Sequence, residues 1–235
     1  MLNFPNNYAS ESQYQTLFME ADIMKKSAFF TLLLILTLTL ICSCSKPSEN
    51  ADDLTNEANL LWDGKQYTEP QKAVEYLSKA IKQQPDYADT YNQRGVAYKN
   101  IGNNQLALED FSTAIRLQPD FVLAYYNRAT VHNNLGQYKE AIDDCGEAIR
   151  LKPDFAEAYN IRGINHNKLK NYKMAIDDFN KAIKLEPNNA NAYNNRGLAY
   201  FMLENNTQGC SDVKKACELG FCKALDLIKS RGYCL

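Results

Sequence analysis

The sequence predicts an all-α solenoid of stacked antiparallel helix pairs. Three observations carry that prediction. Pro85, Pro119, Pro153 and Pro187 recur at intervals of 34 residues, and a fixed period of this size signals a stacked repeat architecture. Aligned on those prolines, the copies agree at many other positions. Apolar and small residues within each copy fall three, four and seven apart, the spacing of one helical face.

The copies are 88–121, 122–155 and 156–189, followed by a fourth from Ala190. Tyr91, Tyr125, Tyr159 and Tyr193 take the fourth position, and Gly95, Ala129, Gly163 and Gly197 the eighth. Each first helix therefore presents an aromatic residue, a small residue and a second aromatic along one stripe, as in Tyr91, Gly95 and Tyr98. Each second helix presents Ala107, Phe111 and Ala114 or their equivalents at the same spacing. Its alanines let the helices of a pair approach closely. Gly102 and Gly136 fall in the turn between the helices, where a positive φ is often required. The proline, followed by Asp or Asn, ends the second helix.

This pattern resembles the tetratricopeptide repeat (TPR), which wants a small residue at eight, alanine at twenty and twenty-seven, and proline at thirty-two. The resemblance implies a right-handed superhelix. Two terminal copies depart from it, as terminal repeats do where one face meets water. Residues 54–87 keep Ala73, Ala80 and Pro85 in phase, but Tyr67 stands six residues before Ala73, which predicts a short insertion around Pro70. In residues 190–220, Gly209 replaces alanine and Val213 the aromatic. Residues 221–235 form a cysteine-containing cap, with a single helix over 221–229.

The first 53 residues are read as an address and a tether. From Met24, two lysines precede an apolar run from Ser27 to Ile41. That is the layout of a secretory signal peptide over 24–43, and the run is short for a membrane span, which needs ~20 residues. Ile41-Cys42-Ser43-Cys44 resembles a bacterial lipobox, which implies lipidation of Cys44 and a mature chain starting there. The alternative is an uncleaved signal anchor. Residues 1–23 carry no targeting logic ahead of Met24 and are expected to be a non-native extension. Residues 44–53 read as a polar tether.

Twenty-six basic residues against 28 acidic ones leave no whole-chain field to recruit nucleic acid. No phosphate loop, GxSxG or HExxH stands in the chain, so neither an enzyme, a cofactor nor a metal is expected. His132 and His166 both fall at position eleven, one repeat apart, and are read as core residues. Arg94, Arg128, Arg162 and Arg196 recur with Asp110, Asp144, Asp178 and Asp212. That pairing predicts a structural ion pair in every repeat; an anion-binding ladder is the rival.

The family resemblance places ligands on the concave face of the first helices. Here that face carries Asn92, Gln93, Tyr126, Asn127, Asn133, Asn134, Asn160, Ile161, Asn167, Asn194 and Asn195. Amides can bind an extended peptide backbone, so a protein or peptide partner is expected for a monomeric scaffold. The Lys and Arg clamp with which some relatives grip chaperone C-termini is absent: Glu157 and Ile161 stand at two of its positions.

Cys210, Cys217, Cys222 and Cys234 allow three disulfide pairings in an exported protein, with zinc as the rival. The stretch around Cys210 and Cys217 resembles the stapled ends of other exported repeat proteins. Cys145 is read as an inert buried thiol. Together these readings predict a lipid-anchored interaction scaffold of a Gram-negative type of envelope, on its periplasmic or surface side. An accessory subunit that binds peptides or glycans is the alternative.

Overall fold

A computed structural model describes residues 50–230 and 232–234. The extension, the signal segment and Cys44 lie outside the described residues. Eleven helices follow one another among those described: α1 (Ala51–Asn59), α2 (Pro70–Gln83), α3 (Ala88–Asn100), α4 (Asn104–Leu117), α5 (Val122–Asn134), α6 (Tyr138–Leu151), α7 (Ala156–Lys168), α8 (Tyr172–Leu185), α9 (Ala190–Met202), α10 (Asn206–Glu218) and α11 (Lys223–Ser230). The first ten form five pairs, and α11 closes the stack. None of them is long and apolar enough to cross a membrane.

Local chemistry sets the boundaries. Asn103, Asn189 and Asn205 each accept a backbone N–H of the first turn that follows, which satisfies one of the orphan donors of a helix start. Gly102 and Gly136 take φ of +80° and +75°, as the turn requires. Lys170 and Glu204 adopt the same left-handed conformation at the equivalent positions, with φ of 62° each. The turn is closed each time by a backbone bond of 2.9 Å, from Asn103 to Tyr98 and from Asn171 to His166 for example. The geometry of the turn is therefore imposed by the stack even where a side chain makes it costly.

The core is a thin apolar seam that runs the length of the stack. Ala107, Phe111 and Ala114 are wholly buried, as are Ala175, Phe179 and Ala182. Ala114 of α4 packs with Ala124 of α5, and Ala148 of α6 with Ala158 of α7, so each pair completes its burial only against the next. This is why isolated repeats of this size do not fold and stacked ones do.

Both ends differ from the sequence expectation. α1 begins at Ala51, inside the stretch read as tether and three residues before the start set by the 34-residue period. The cause is a capping box: Asn50 accepts from the Asp53 N–H while the Asp53 carboxylate accepts from the Asn50 N–H. Leu54 and Ala58, buried, then occupy the positions of Tyr91 and Gly95. The insertion lies wholly before Pro70, which is the first residue of α2, a position where its missing N–H costs nothing. At the other end, Phe221 belongs to a turn: Gly220 has φ of +97° and the Phe221 N–H donates to Ala216 O. The cap helix starts two residues later than expected, at Lys223.

Candidate functional site

Successive first helices touch one another, α3 with α5, α5 with α7 and α7 with α9. That contact puts them on the tighter, inner side of the stack and makes one continuous face of their outward residues. Along it the asparagines are partly paired among themselves. Asn127 Nδ2 donates to Asn92 Oδ1 at 2.9 Å, and Gln93 Nε2 to Asp89 Oδ2 at 2.6 Å. Asn167 Nδ2 reaches the Asn195 carbonyl and Asn194 Nδ2 reaches Asn195 Oδ1, both at 3.4 Å. Tyr126 packs on Phe155 with ring centroids 5.0 Å apart. At the rim, Asn133 bonds weakly to exposed Asn134.

What these pairs leave over is more telling. Gln93 Oε1, Asn160 Oδ1, Asn167 Oδ1 and Asn194 Oδ1 are buried without a hydrogen-bond partner among the described residues. Asn194 is only 8% exposed. Buried polar atoms are nearly always paired, so a row of orphan acceptors on one face is an arrangement suited to a ligand that brings N–H donors.

The expected face does not act as one patch. Asn92, Gln93, Tyr126 and Asn127 line a cavity of about 470 Å³ at the N-terminal end. Asn167 and Asn195 line a second, of about 310 Å³, with Tyr172, Leu198 and Met202. Asn133, Asn160, Ile161 and Asn194 line neither. Sequence reasoning missed Trp62, Lys99 and Leu123, which also line the first cavity. Lys99 could have been found, because it stands at position twelve, one of the positions assigned to the face.

The recurring arginines are structural. Each makes a two-pronged bond to its aspartate, as Arg128 does to Asp144 through Nε at 2.8 Å and Nη2 at 2.6 Å. Each guanidinium also lies against the tyrosine of position four, 5.7 Å from the Tyr91 ring centre for Arg94 and 5.4 Å from that of Tyr193 for Arg196. A third partner was not foreseen. Arg94 donates to Ser78, Arg128 to Ser112 and Arg196 to Asn180, all in the preceding repeat. The bond to Asp144 holds the Arg128 guanidinium above its already high ordinary pKa, against the opposing effect of burial.

His132 and His166 each stand beside the aspartate of their own repeat, with Nε2 3.8 Å from Asp144 and 3.9 Å from Asp178. Burial pushes His166 below its ordinary pKa; Asp178 acts to raise it and Arg162 to lower it. Burial likewise pushes the Cys145 thiol well up, which keeps it protonated and unreactive. The four late cysteines form two disulfides, Cys210–Cys234 and Cys217–Cys222. Among the described residues no cluster of three or more His, Cys, Asp or Glu is placed to hold a metal ion.

A tetratricopeptide-repeat family model matches residues 88–121 and 122–155, and a TPR-repeat model matches 165–203. No curated protein matches the sequence. Among solved structures, MamA from Desulfovibrio magneticus RS-1 is similar at 21% identity and a TM-score of 0.66, over 74% of this chain and 96% of that one. A crystal structure of MamA is similar at 26% identity and a TM-score of 0.62, over 67% and 92%. YrrB, described as a TPR protein with an unusual peptide-binding site, is similar at 24% and 0.64, over 79% and 94%. With the repeat matches, the paired helices and these neighbours in agreement, the chain is a protein of tetratricopeptide repeats stacked into an α-solenoid.

Proposed function

We propose that this chain is a non-catalytic scaffold, anchored by a lipid on Cys44 in a bacterial cell envelope, that holds an extended peptide segment of a partner protein along its inner face. The observation that carries the reading is the row of buried, unpartnered amide oxygens of Gln93, Asn160, Asn167 and Asn194. A peptide backbone offers N–H donors at regular intervals, and each such bond is worth about 0.5–1.5 kcal/mol net. Amides place no charge requirement on the ligand's side chains. YrrB, similar in fold, is described as having a peptide-binding site, and TPR stacks offer such a face as a rule of their geometry. The envelope location rests on the signal layout before Cys44 and on four cysteines that pair as exported cysteines do.

The test is a crosslinked pull-down of the native protein from membranes, read by mass spectrometry. One dominant protein partner, lost when Asn127, Asn160 and Asn194 are changed together to alanine in a chain that still melts cooperatively, supports the reading. Partners indifferent to those changes refute it. Retention of the protein in the membrane fraction by wild type, with release on Cys44→Ala, tests the anchor separately. The aromatic wall formed by Trp62 and Tyr126 favours a second reading, an accessory subunit that binds glycans; recovery of a glycan in place of a protein would select it.

A further inference from the structure

The insertion in the first repeat is built to make a wall. Between α1 and α2 it adds three residues to the spacing found in the other pairs. Asp63 Oδ1 accepts the backbone N–H groups of Lys65 and Gln66, both at 2.8 Å, and Gly64 takes φ of +95° to close the turn. Trp62 and Tyr67 pair across it in an antiparallel bridge, with their rings edge to face at 5.2 Å. The Tyr67 N–H donates to Asn100 Oδ1 at 3.0 Å, which fastens the turn to the end of α3. Tyr67 is buried by this arrangement, while Trp62 is left 41% exposed at the mouth of the N-terminal cavity.

That cavity has two kinds of unmet demand. Trp62, Val96 and Leu123 offer it apolar surface, and Leu123 is 50% exposed. Lys99 lines it too, and no acidic side chain among the described residues pairs with that ammonium. Burial alone pushes Lys99 below its ordinary pKa, the signature of a cation removed from water without a counter-charge. Lys65 adds a second positive charge at the rim, beside exposed Asp63. The nearest carboxylate on α3, Asp89, does not line the cavity and is held by Gln93.

We propose that this cavity is a side-chain subsite that takes a large apolar residue next to an acidic one in the bound peptide, with Trp62 and Leu123 covering the first and Lys99 pairing the second. The inference rests on the peptide-binding reading of the inner face and adds a sequence preference to it. A fixed aromatic wall covers apolar surface at little conformational cost. A carboxylate beside Lys99 supplies the missing counter-charge in a site partly shielded from solvent salt. The groove is preformed by the insertion, so the preference is a property of this chain's first repeat and not of its regular ones.

Trp62 is the only tryptophan in the chain, so its fluorescence reports this cavity and nothing else. The experiment titrates the full-length protein in detergent with capped hexapeptides Gly-Ser-Phe-Glu-Ser-Gly, its Glu-to-Gln version and its Phe-to-Ala version. A saturable change in Trp62 emission is expected with the first, and at least tenfold weaker binding with each of the others. Lys99→Met keeps the stem and removes the charge; it should bind the Glu and Gln peptides equally while melting like wild type. No Trp62 response up to millimolar peptide, or equal binding of the Glu and Gln peptides by wild type, overturns the proposal. So does a Trp62 shift that follows protein concentration without peptide, which would seat a second copy in the cavity. If the pull-down still depends on the asparagines while these titrations fail, only the subsite falls; if both fail, the peptide reading falls with it.

Discussion

Gly163 lies so close beneath the ring of Phe179 that a methyl group on its α-carbon would stand 2.7 Å from Cε1. Gly95 meets Phe111 at the same distance. The repeat between them reverses both choices, with Ala129 in the place of glycine and Cys145 in the place of phenylalanine, each wholly buried. The volume given up by the cysteine accommodates the methyl. Cys145→Phe should therefore overpack against Ala129 and cost about 1–3 kcal/mol. Adding Ala129→Gly should recover most of that loss, although the glycine alone costs about 0.5–1 kcal/mol in a helix. Denaturant melts of the two single variants and the double close the cycle; strictly additive losses would refute the coupling.

Arg128 and Asp144 hold α5 to α6, and Arg128 reaches back to Ser112 in α4 as well. Asp144 is buried, with its side chain 8% exposed, while that of Arg128 is 23% exposed. Arg128→Ala leaves the carboxylate buried and unpaired, and the expected loss is about 2–4 kcal/mol. Arg128→Lys should recover little of it, because an ammonium cannot make the two-pronged bond. Unchanged melting of Arg128→Ala together with lost partner capture would instead make the arginines an anion ladder.

Arg162 lacks the third bond that its three counterparts make, because Gly146 stands where Ser78, Ser112 and Asn180 stand. A Cβ on Gly146 meets nothing within 4 Å. Gly146→Ser should thus stabilise the junction between the third and fourth repeats by about 0.5–1.5 kcal/mol, from reduced chain entropy and one new hydrogen bond. Thermal melts of the variant alone and with Arg162→Lys separate the two contributions: the hydrogen-bond share vanishes in the second background.

The period of 34 residues was enough to read the solenoid, because each repeated residue does one job in every copy: Phe111 and Phe179 fill the same place, as do Arg94 and Arg196. The turns were legible only where glycine marks them. Lys170 and Glu204 adopt φ of 62° with no local signal, since the stack on either side fixes the backbone there. The partner of each arginine across the repeat boundary was written in Ser78 and Ser112, one period apart, but a hydroxyl at a half-exposed position looks like any surface residue. The inner face was placed by position alone. What position could not give is the division into two cavities, because Trp62 enters from an insertion that belongs to no repeat.

The cap depends on a bond whose choice among three pairings the sequence left open. Cys210–Cys234 closes a loop of 24 residues and brings Tyr233 against Phe201, whose ring covers Gly209. Val213, Leu225 and Ile228 are buried by this closure. Cys210→Ser with Cys234→Ser should cost about 3 kcal/mol. The loss should be local: hydrogen exchange speeds up in α11 and the second half of α10, while α3 to α6 keep wild-type protection. Uniform loss of protection along the stack would mean that the cap is coupled to every repeat.

His166 sets the pH response of the fourth repeat. It is 6% exposed, with Asp178 and Arg162 as its charged neighbours and Asp177 on the same groove. Its folded-state pKa lies below the ordinary value of 6.5, chiefly because burial disfavours the charged form. Above that ordinary value the imidazole is neutral in both states and costs nothing. As pH falls below it, the unfolded chain takes up the proton first, so the unfolded state binds more protons and stability declines. The decline from this residue continues until the folded-state pKa is passed and then stops. Tyrosine occupies the equivalent positions, Tyr98 and Tyr200, so His166→Tyr removes the titration with a residue the repeat accepts. Melting of wild type and variant between pH 7.5 and 4.5 should show the wild type losing more on acidification. Parallel curves would mean that the imidazole reaches solvent and titrates alike in both states.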